Sequence, residues 1–127
     1  KKIKKYKLFK KITKKKINRI KKIINLKYQQ GFKLGCFTAP AKGNTLLNSL
    51  NLEKKIIQLT SENNRKKINK YKPGTHLKII SNKEFIRILF DYAILLSWNY
   101  KKFFLTKSLF KKRGGKFIIP LPTPHIR

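Results

Sequence analysis

The 127-residue sequence is poor in cysteine, methionine and acidic residues. Its one cysteine, Cys36, excludes an internal disulfide and a cysteine-based metal cluster, and it is typical of a reducing compartment, so we expect a cytoplasmic protein. A small buried side chain on a strand is a plainer interpretation of Cys36 than a catalytic thiol. Because no methionine occurs, even at position 1, we expect the chain to be a piece of a longer translation product.

Long apolar runs and clusters of metal ligands are also missing. No stretch approaches the roughly 20 residues of a transmembrane helix, and no apolar segment with a small-residue cleavage site follows the basic start. The two histidines, His76 and His125, lie far apart in the sequence and have few acidic neighbours, which argues against a metal site or a catalytic triad. The sequence therefore predicts no membrane span and no bound metal.

Positive charge is what the sequence has in excess. There are 34 lysines and arginines against 4 acidic residues, which gives a formal net charge of +30. Such a charge predicts attraction to polyanions, so non-specific nucleic-acid binding must be considered. Most of the cations are lysine and the apolar residues lean toward Ile and Phe, a bias that AT-rich codons produce without selection for binding. The composition leaves both interpretations open.

Residues 1–30 place isoleucine and aromatic residues at intervals of three to five, with lysines between them. This spacing predicts a basic amphipathic helix. It fits a connecting helix whose apolar stripe packs on the domain that follows, and it also fits an arm that lies on RNA or on an anionic membrane surface. We expect the connecting helix, because the stripe continues almost to the first predicted strand.

Residues 31–127 predict one domain in which strands and helices alternate. Apolar runs bounded by turn signals predict strands in "GFKLGCFTA", "KKIIQLTSENN", residues 77–80, "DYAILLSWNY" and "KFIIPLP". The order β-α-β-β-α-β-α-β predicts an α/β fold: a Rossmann-like three-layer sandwich with a mostly parallel sheet of about five strands, preceded by the basic helix. The alternate prolines of "PLPTP" predict an extended exit that ends the sheet.

Helices are predicted in the three long connections. In "AKGNTLLNSL" either Asn44 or Thr45 is expected as the N-cap. "SNKEFIRILF" begins with Ser81 and has Glu84 three residues on, which is the signature of a capping box. "KKFFLTKSLFKKR" predicts one helix that two glycines end.

Three polar segments follow the predicted strands at the edge where ligands of open parallel sheets bind: "PAKGNT", "SENN" and "SWN". Lys42 and Gly43 at a helix start favour an anion, although the segment is neither a Walker A loop nor a GxGxxG motif, and a capped helix with a solvated lysine explains it equally well. Glu62 stands where nucleotide-binding folds offer a carboxylate to a ribose, with a surface ion pair as the alternative. Asn99 is placed either to face a ligand or to cap the next helix.

Four strings in this sequence together resemble one known family: "AKGNTLLN", "NKYKPGTHLKII", "DYAILLSWNY" and "RGGKFIIPLPTP". They are similar, in order and spacing, to the C-terminal domain of class I S-adenosylmethionine-dependent methyltransferases of the nucleotide-sugar C-methyltransferase type. The resemblance covers about residues 31–127. It implies an enzyme of three parts, namely a zinc-binding N-terminal module, a central methyl-donor-binding domain and a C-terminal Rossmann-like domain, of which this chain resembles the third alone.

The resemblance also implies where the chemistry takes place. The nucleotide-linked keto-sugar is expected between the central and C-terminal domains, where a base removes a proton beside the ketone and the carbanion takes the methyl group. No glycine-rich E-x-G-x-G loop occurs in this sequence, so S-adenosylmethionine is expected to bind the missing central domain and no catalytic residue is carried over. The residues implied to face the nucleotide-sugar substrate are Lys42, Gly43, Asn44, Thr45, Glu62, Tyr71, Gly74, Thr75, His76 and Asn99.

One departure from the family pattern lies at the end of the first predicted strand. Where the family usually shows Gly-Tyr-Gly-Ala, this sequence reads Cys36, Phe37, Thr38 and Ala39. The two replaced glycines add β-carbons where the backbone would approach a ligand, and Pro40 removes an N–H donor. The leading hypothesis is a substrate-side domain without catalysis of its own. The replaced glycines also fit a decayed domain that folds and binds nothing. The charge and the basic helix fit a third hypothesis, a module that binds RNA or an anionic surface.

Overall fold

The structure of the protein, a computed structural model, describes residues 2–38, 41–62, 65–71 and 77–127, with the backbone alone for 2–13 and 41–44. The described helices are α1 (Lys2–Gln29), α2 (Ala41–Leu50), α3 (Asn82–Arg87), α4 (Lys101–Lys107) and α5 (Leu109–Lys112), and a 3₁₀ turn spans Trp98–Tyr100. The strands are β1 (Leu34–Phe37), β2 (Leu59–Glu62), β3 (Lys78–Ser81), β4 (Tyr92–Leu95), β5 (Lys116–Ile119) and β6 (His125–Ile126).

The strands form one sheet in the order β3-β2-β1-β4-β5-β6. The first five run parallel, and β6 runs antiparallel to β5. This is the strand order of a Rossmann-type sheet, in which the chain winds one way from β1 and the other way from β4. The predicted α/β fold is confirmed.

One face of the sheet packs against α1 and α2. The central strands β1 and β4 are buried on both faces, and successive residues of each strand point to opposite layers. Ile20 and Ile24 of α1 are fully buried in this layer, and Ile17 and Ile23 pack beside them. The remaining members of the layer include Leu34, Cys36, Leu46, Leu47, Leu50, Tyr92, Ile94 and Ile118.

The other face packs against α3, α4 and α5 through phenylalanine rings. The Phe37 ring of β1 lies with its centroid 5.2 to 6.0 Å from those of Phe85, Phe104, Phe110 and Phe117, which come from each of these helices and from β5. Most of these contacts are edge-to-face, an arrangement that aromatic rings favour. The sheet therefore lies between two helical layers, as the sequence predicts.

Local sequence signals account for several element ends. The Ser81 side chain accepts a hydrogen bond from the Glu84 backbone N–H at 3.2 Å, which confirms the predicted N-cap of α3. Gly114 follows α5 with φ of +100°, a conformation that glycine adopts at little cost.

Three expectations about element ends are wrong. Neither Asn44 nor Thr45 caps α2, because the helix already begins at Ala41, where alanine and lysine favour helix. The single helix expected after β4 is divided at Ser108, whose backbone is extended. The Ser108 side chain caps α5 by accepting a hydrogen bond from the Lys111 N–H at 3.0 Å. The tail does not end the sheet at β5.

The tail instead turns back and adds β6. The Phe117 N–H donates to the Arg127 carbonyl at 2.8 Å, and the Arg127 N–H donates to the Phe117 carbonyl at 2.9 Å. The prolines remove only their own N–H donors, and the residues after them pair with the edge of β5, which would otherwise be left open.

Candidate functional site

The carboxyl ends of β1 and β4 mark the point where the strand order reverses. In open α/β sheets this switch point opens a crevice between the loops that leave the two strands in opposite directions, and ligands bind there. In this chain those loops begin at Thr38 and at Leu96, whose N–H donates to the Phe37 carbonyl at 3.1 Å.

Four hydroxyl side chains gather at this point: Thr38, Thr60, Ser61 and Ser97. The Thr38 N–H donates to Ser61 Oγ at 3.2 Å, and Thr60 Oγ1 donates to the Thr38 carbonyl at 2.7 Å. The Thr38 and Ser97 hydroxyl oxygens lie 2.7 Å apart and share a hydrogen bond. Thr38 is thus held from β2 on one side and from the end of β4 on the other.

Thr38 has an unusual backbone conformation. Its φ is +71°, in the left-handed region that disfavours side chains branched at the β-carbon. The hydroxyl groups of Thr60, Ser61 and Ser97 hold this strained conformation in place by hydrogen bonds. The residue that follows β1 is therefore a threonine in a backbone conformation that glycine favours.

The structure places several predicted site residues at the same carboxyl edge. Lys42, Gly43 and Asn44 form the first turn of α2, which follows β1, and Thr45 is exposed on the next turn. Glu62 ends β2 and is half-buried. In the 3₁₀ turn after β4, Asn99 is exposed.

The remaining predicted site residues are not placed with these. Tyr71 is exposed and its backbone bridges to Lys78, the first residue of β3, so it lies toward the amino edge of the sheet. Gly74, Thr75 and His76 lie outside the described residues.

Sequence reasoning did not single out Thr60, Ser61 or Ser97. Ser61 and Ser97 lie in segments that were expected to face a ligand, but only their neighbours Glu62 and Asn99 were named. A signal for them was present in the sequence, because hydroxyl residues lie at or just after the carboxyl ends of β1, β2 and β4.

An open cleft of about 510 Å³ lies at the opposite, amino edge of the sheet. Its wall is mostly aromatic and aliphatic, with lysines and no carboxylate. The side chains in the wall include Tyr28, Phe32, Lys33, Lys55, Ile88 and Phe90. Because strand topology and the gathered polar groups both point to the carboxyl edge, we place the candidate site there and not at this cleft.

The described residues show neither a metal cluster nor a membrane helix. No group of three or more histidine, cysteine or acidic side chains gathers among them. Within the same residues, no helix is both long enough and apolar enough to cross a bilayer.

The chain is similar to a known family model and to a known protein. A family model described as the C-methyltransferase C-terminal domain matches residues 1–122. The chain is also similar to the C-methyltransferase NovU of Streptomyces niveus, with 33% identity over 91 residues. That alignment covers 71% of this chain and 22% of the relative, so the matched part is a small share of the longer protein.

Proposed function

The chain belongs to the C-methyltransferase C-terminal domain family, and from this we propose that it is the substrate-side domain of a larger S-adenosylmethionine-dependent C-methyltransferase acting on a nucleotide-linked keto-sugar. The match of the family model over residues 1–122 is the observation that carries the proposal. The Rossmann-type strand order adds support, since such sheets bind nucleotides at their carboxyl edge.

The proposed substrate surface is the carboxyl edge around the switch point. The first turn of α2, with Lys42 to Asn44, would receive the diphosphate, because unpaired N–H groups at a helix start favour anions. Glu62 would accept hydrogen bonds from ribose hydroxyls, and Thr45 and Asn99 would contact the sugar. Tyr71 and residues 74–76 remain contacts that only the family resemblance suggests.

We place the methyl-donor site outside this chain. The hydrogen bond between the Thr38 and Ser97 side chains crosses the switch point, so a threonine side chain fills the place where a glycine would let a cofactor approach. This supports a methyl-donor site in another domain of the enzyme, as does the absence of a glycine-rich E-x-G-x-G loop from the sequence. Deprotonation of the keto-sugar and methyl transfer are assigned to the central domain, with this chain holding the nucleotide.

The proposed domain division has residues 1–30 as a connecting helix and 31–127 as the Rossmann-like domain. Burial of Ile20 and Ile24 under the sheet supports a helix that packs on the domain it precedes.

The proposal is tested by grafting. In the Streptomyces niveus relative, the segment that matches this chain is deleted or replaced by this chain, and transfer of radiolabelled methyl groups to a keto-sugar nucleotide is measured. We expect no transfer by this chain alone or by the deleted relative, and restored transfer by the graft. Methyl transfer by this chain alone, or a correctly folded graft without transfer, would refute the proposal.

A further inference from the structure

The described part of α1 has two faces with different roles. Ile17, Ile20 and Ile24 pack into the core, and Lys14, Lys15, Arg19 and Lys22 are exposed. At 3.6 residues per turn the four cations span an arc of about 140° and about 12 Å along the helix axis. We call these four residues the α1 basic face.

The charge of this face is not balanced within the helix. Lys15 and Arg19 are four residues apart and Arg19 and Lys22 are three apart, so like charges are neighbours on the helix surface. All four acidic residues of the sequence lie at positions 53 to 91, outside α1. A bound polyanion would relieve the repulsion between these cations.

A basic amphipathic helix can bind either an anionic membrane surface or nucleic acid, and the structure favours one of them. A helix that lies in a membrane surface needs an apolar face free to enter the lipid, and in residues 14–29 of α1 the isoleucines at 17, 20, 23 and 24 are already packed under the sheet. Among residues 14–29 the exposed positions carry one apolar side chain, Leu26, and no aromatic ring for stacking on a base.

We propose that the α1 basic face binds the phosphodiester backbone of nucleic acid without regard to base sequence. Lysine and arginine contacts to phosphates release counterions, so binding weakens steeply as salt rises. This site lies on α1, in the helical layer that also holds α2, and does not depend on the proposed methyltransferase function.

The test compares two variants of the full chain with equal loss of charge. K14Q/K15Q/R19Q/K22Q removes the α1 basic face. K83Q/R87Q/K107Q/K112Q is the matched control, because it removes three lysines and one arginine that are exposed on α3, α4 and α5 across the sheet. Both variants should remain folded, because glutamine favours helix and the positions are exposed; urea unfolding verifies this.

The dissociation constant for a fluorescent RNA duplex of mixed sequence is measured by anisotropy between about 50 and 200 mM salt. For duplex contacts to four phosphates, the slope of log K against log salt should become shallower by about 3 to 4 in the α1 variant, and by less than about 1 in the control. A DNA duplex and a second RNA sequence should give the same result.

Equal losses in the two variants would overturn the proposal, because binding would then follow net charge alone. Absence of duplex binding by the unmodified chain would also overturn it. So would binding that depends on the α1 basic face for phosphatidylserine vesicles and not for the duplex.

Discussion

Thr38 connects the two halves of the candidate site, because it is hydrogen-bonded to residues of β2 and to Ser97 after β4. Its strained backbone and its hydrogen bond with Ser97 act in opposite directions on stability. We predict that Thr38→Ala is less stable than Thr38→Gly by about 1 kcal/mol, because both lose the hydroxyl and glycine alone relieves the positive φ. Urea unfolding measures the difference. If Thr38→Ala is the more stable of the two, the assigned conformation is wrong.

Gly115 is needed for space. A β-carbon at this position would lie within 2.6 Å of three ring carbons of Phe110, which is fully buried. We predict that Gly115→Ala lowers the free energy of unfolding by about 1 to 3 kcal/mol through overpacking. The same change should cost less in a Phe110→Leu background, as a double-mutant cycle would measure. An equal cost in both backgrounds would show that the ring is not the obstacle.

A side-chain hydrogen bond can be predicted from the sequence when its two residues lie close together along the chain. The Ser81 cap is predictable because its partner Glu84 is three residues away. The bond between Thr38 and Ser97 joins residues 59 apart, and it exists only because β1 and β4 are neighbours in register. The hydroxyl residues at the strand ends are visible in the sequence, but their gathering into one cluster depends on the strand order.

At the scale of elements, α1 is the clearest case in which an apolar pattern predicts packing. We predict that Ile20→Ala lowers the free energy of unfolding by about 2 to 5 kcal/mol, since Ile20 is fully buried beneath the sheet. Leu26→Ala on the same helix is the control: Leu26 is 52% exposed, so its replacement should change stability by less than about 0.5 kcal/mol. Similar small effects in urea unfolding would mean that α1 does not pack on the domain.

The ends of elements were predicted less well than their order. The break at Ser108 and the return of the tail as β6 are settled by tertiary contacts: Phe110 packs into the ring cluster, and the edge of β5 is open for pairing. Neither contact leaves a periodic signal in the local sequence. The three-layer arrangement was predictable because the alternation of strands and helices and the apolar runs carry it directly.

At the scale of the whole molecule, two surfaces receive different assignments. The carboxyl edge is proposed to hold a nucleotide-linked sugar, and the α1 basic face to hold nucleic acid. The net charge of +30 alone predicted attraction to polyanions but no location, because the location depends on which face of α1 the core covers.

The most direct test of the account is an amide NMR titration of the chain with a nucleoside diphosphate sugar. We predict that the shifted signals belong to the carboxyl edge, at Thr38, Ser61, Glu62, Ser97 and Asn99, and that the amino-edge cleft is unaffected. Shifts confined to that cleft, around Tyr28, Phe32 and Phe90, would contradict the placement of the site.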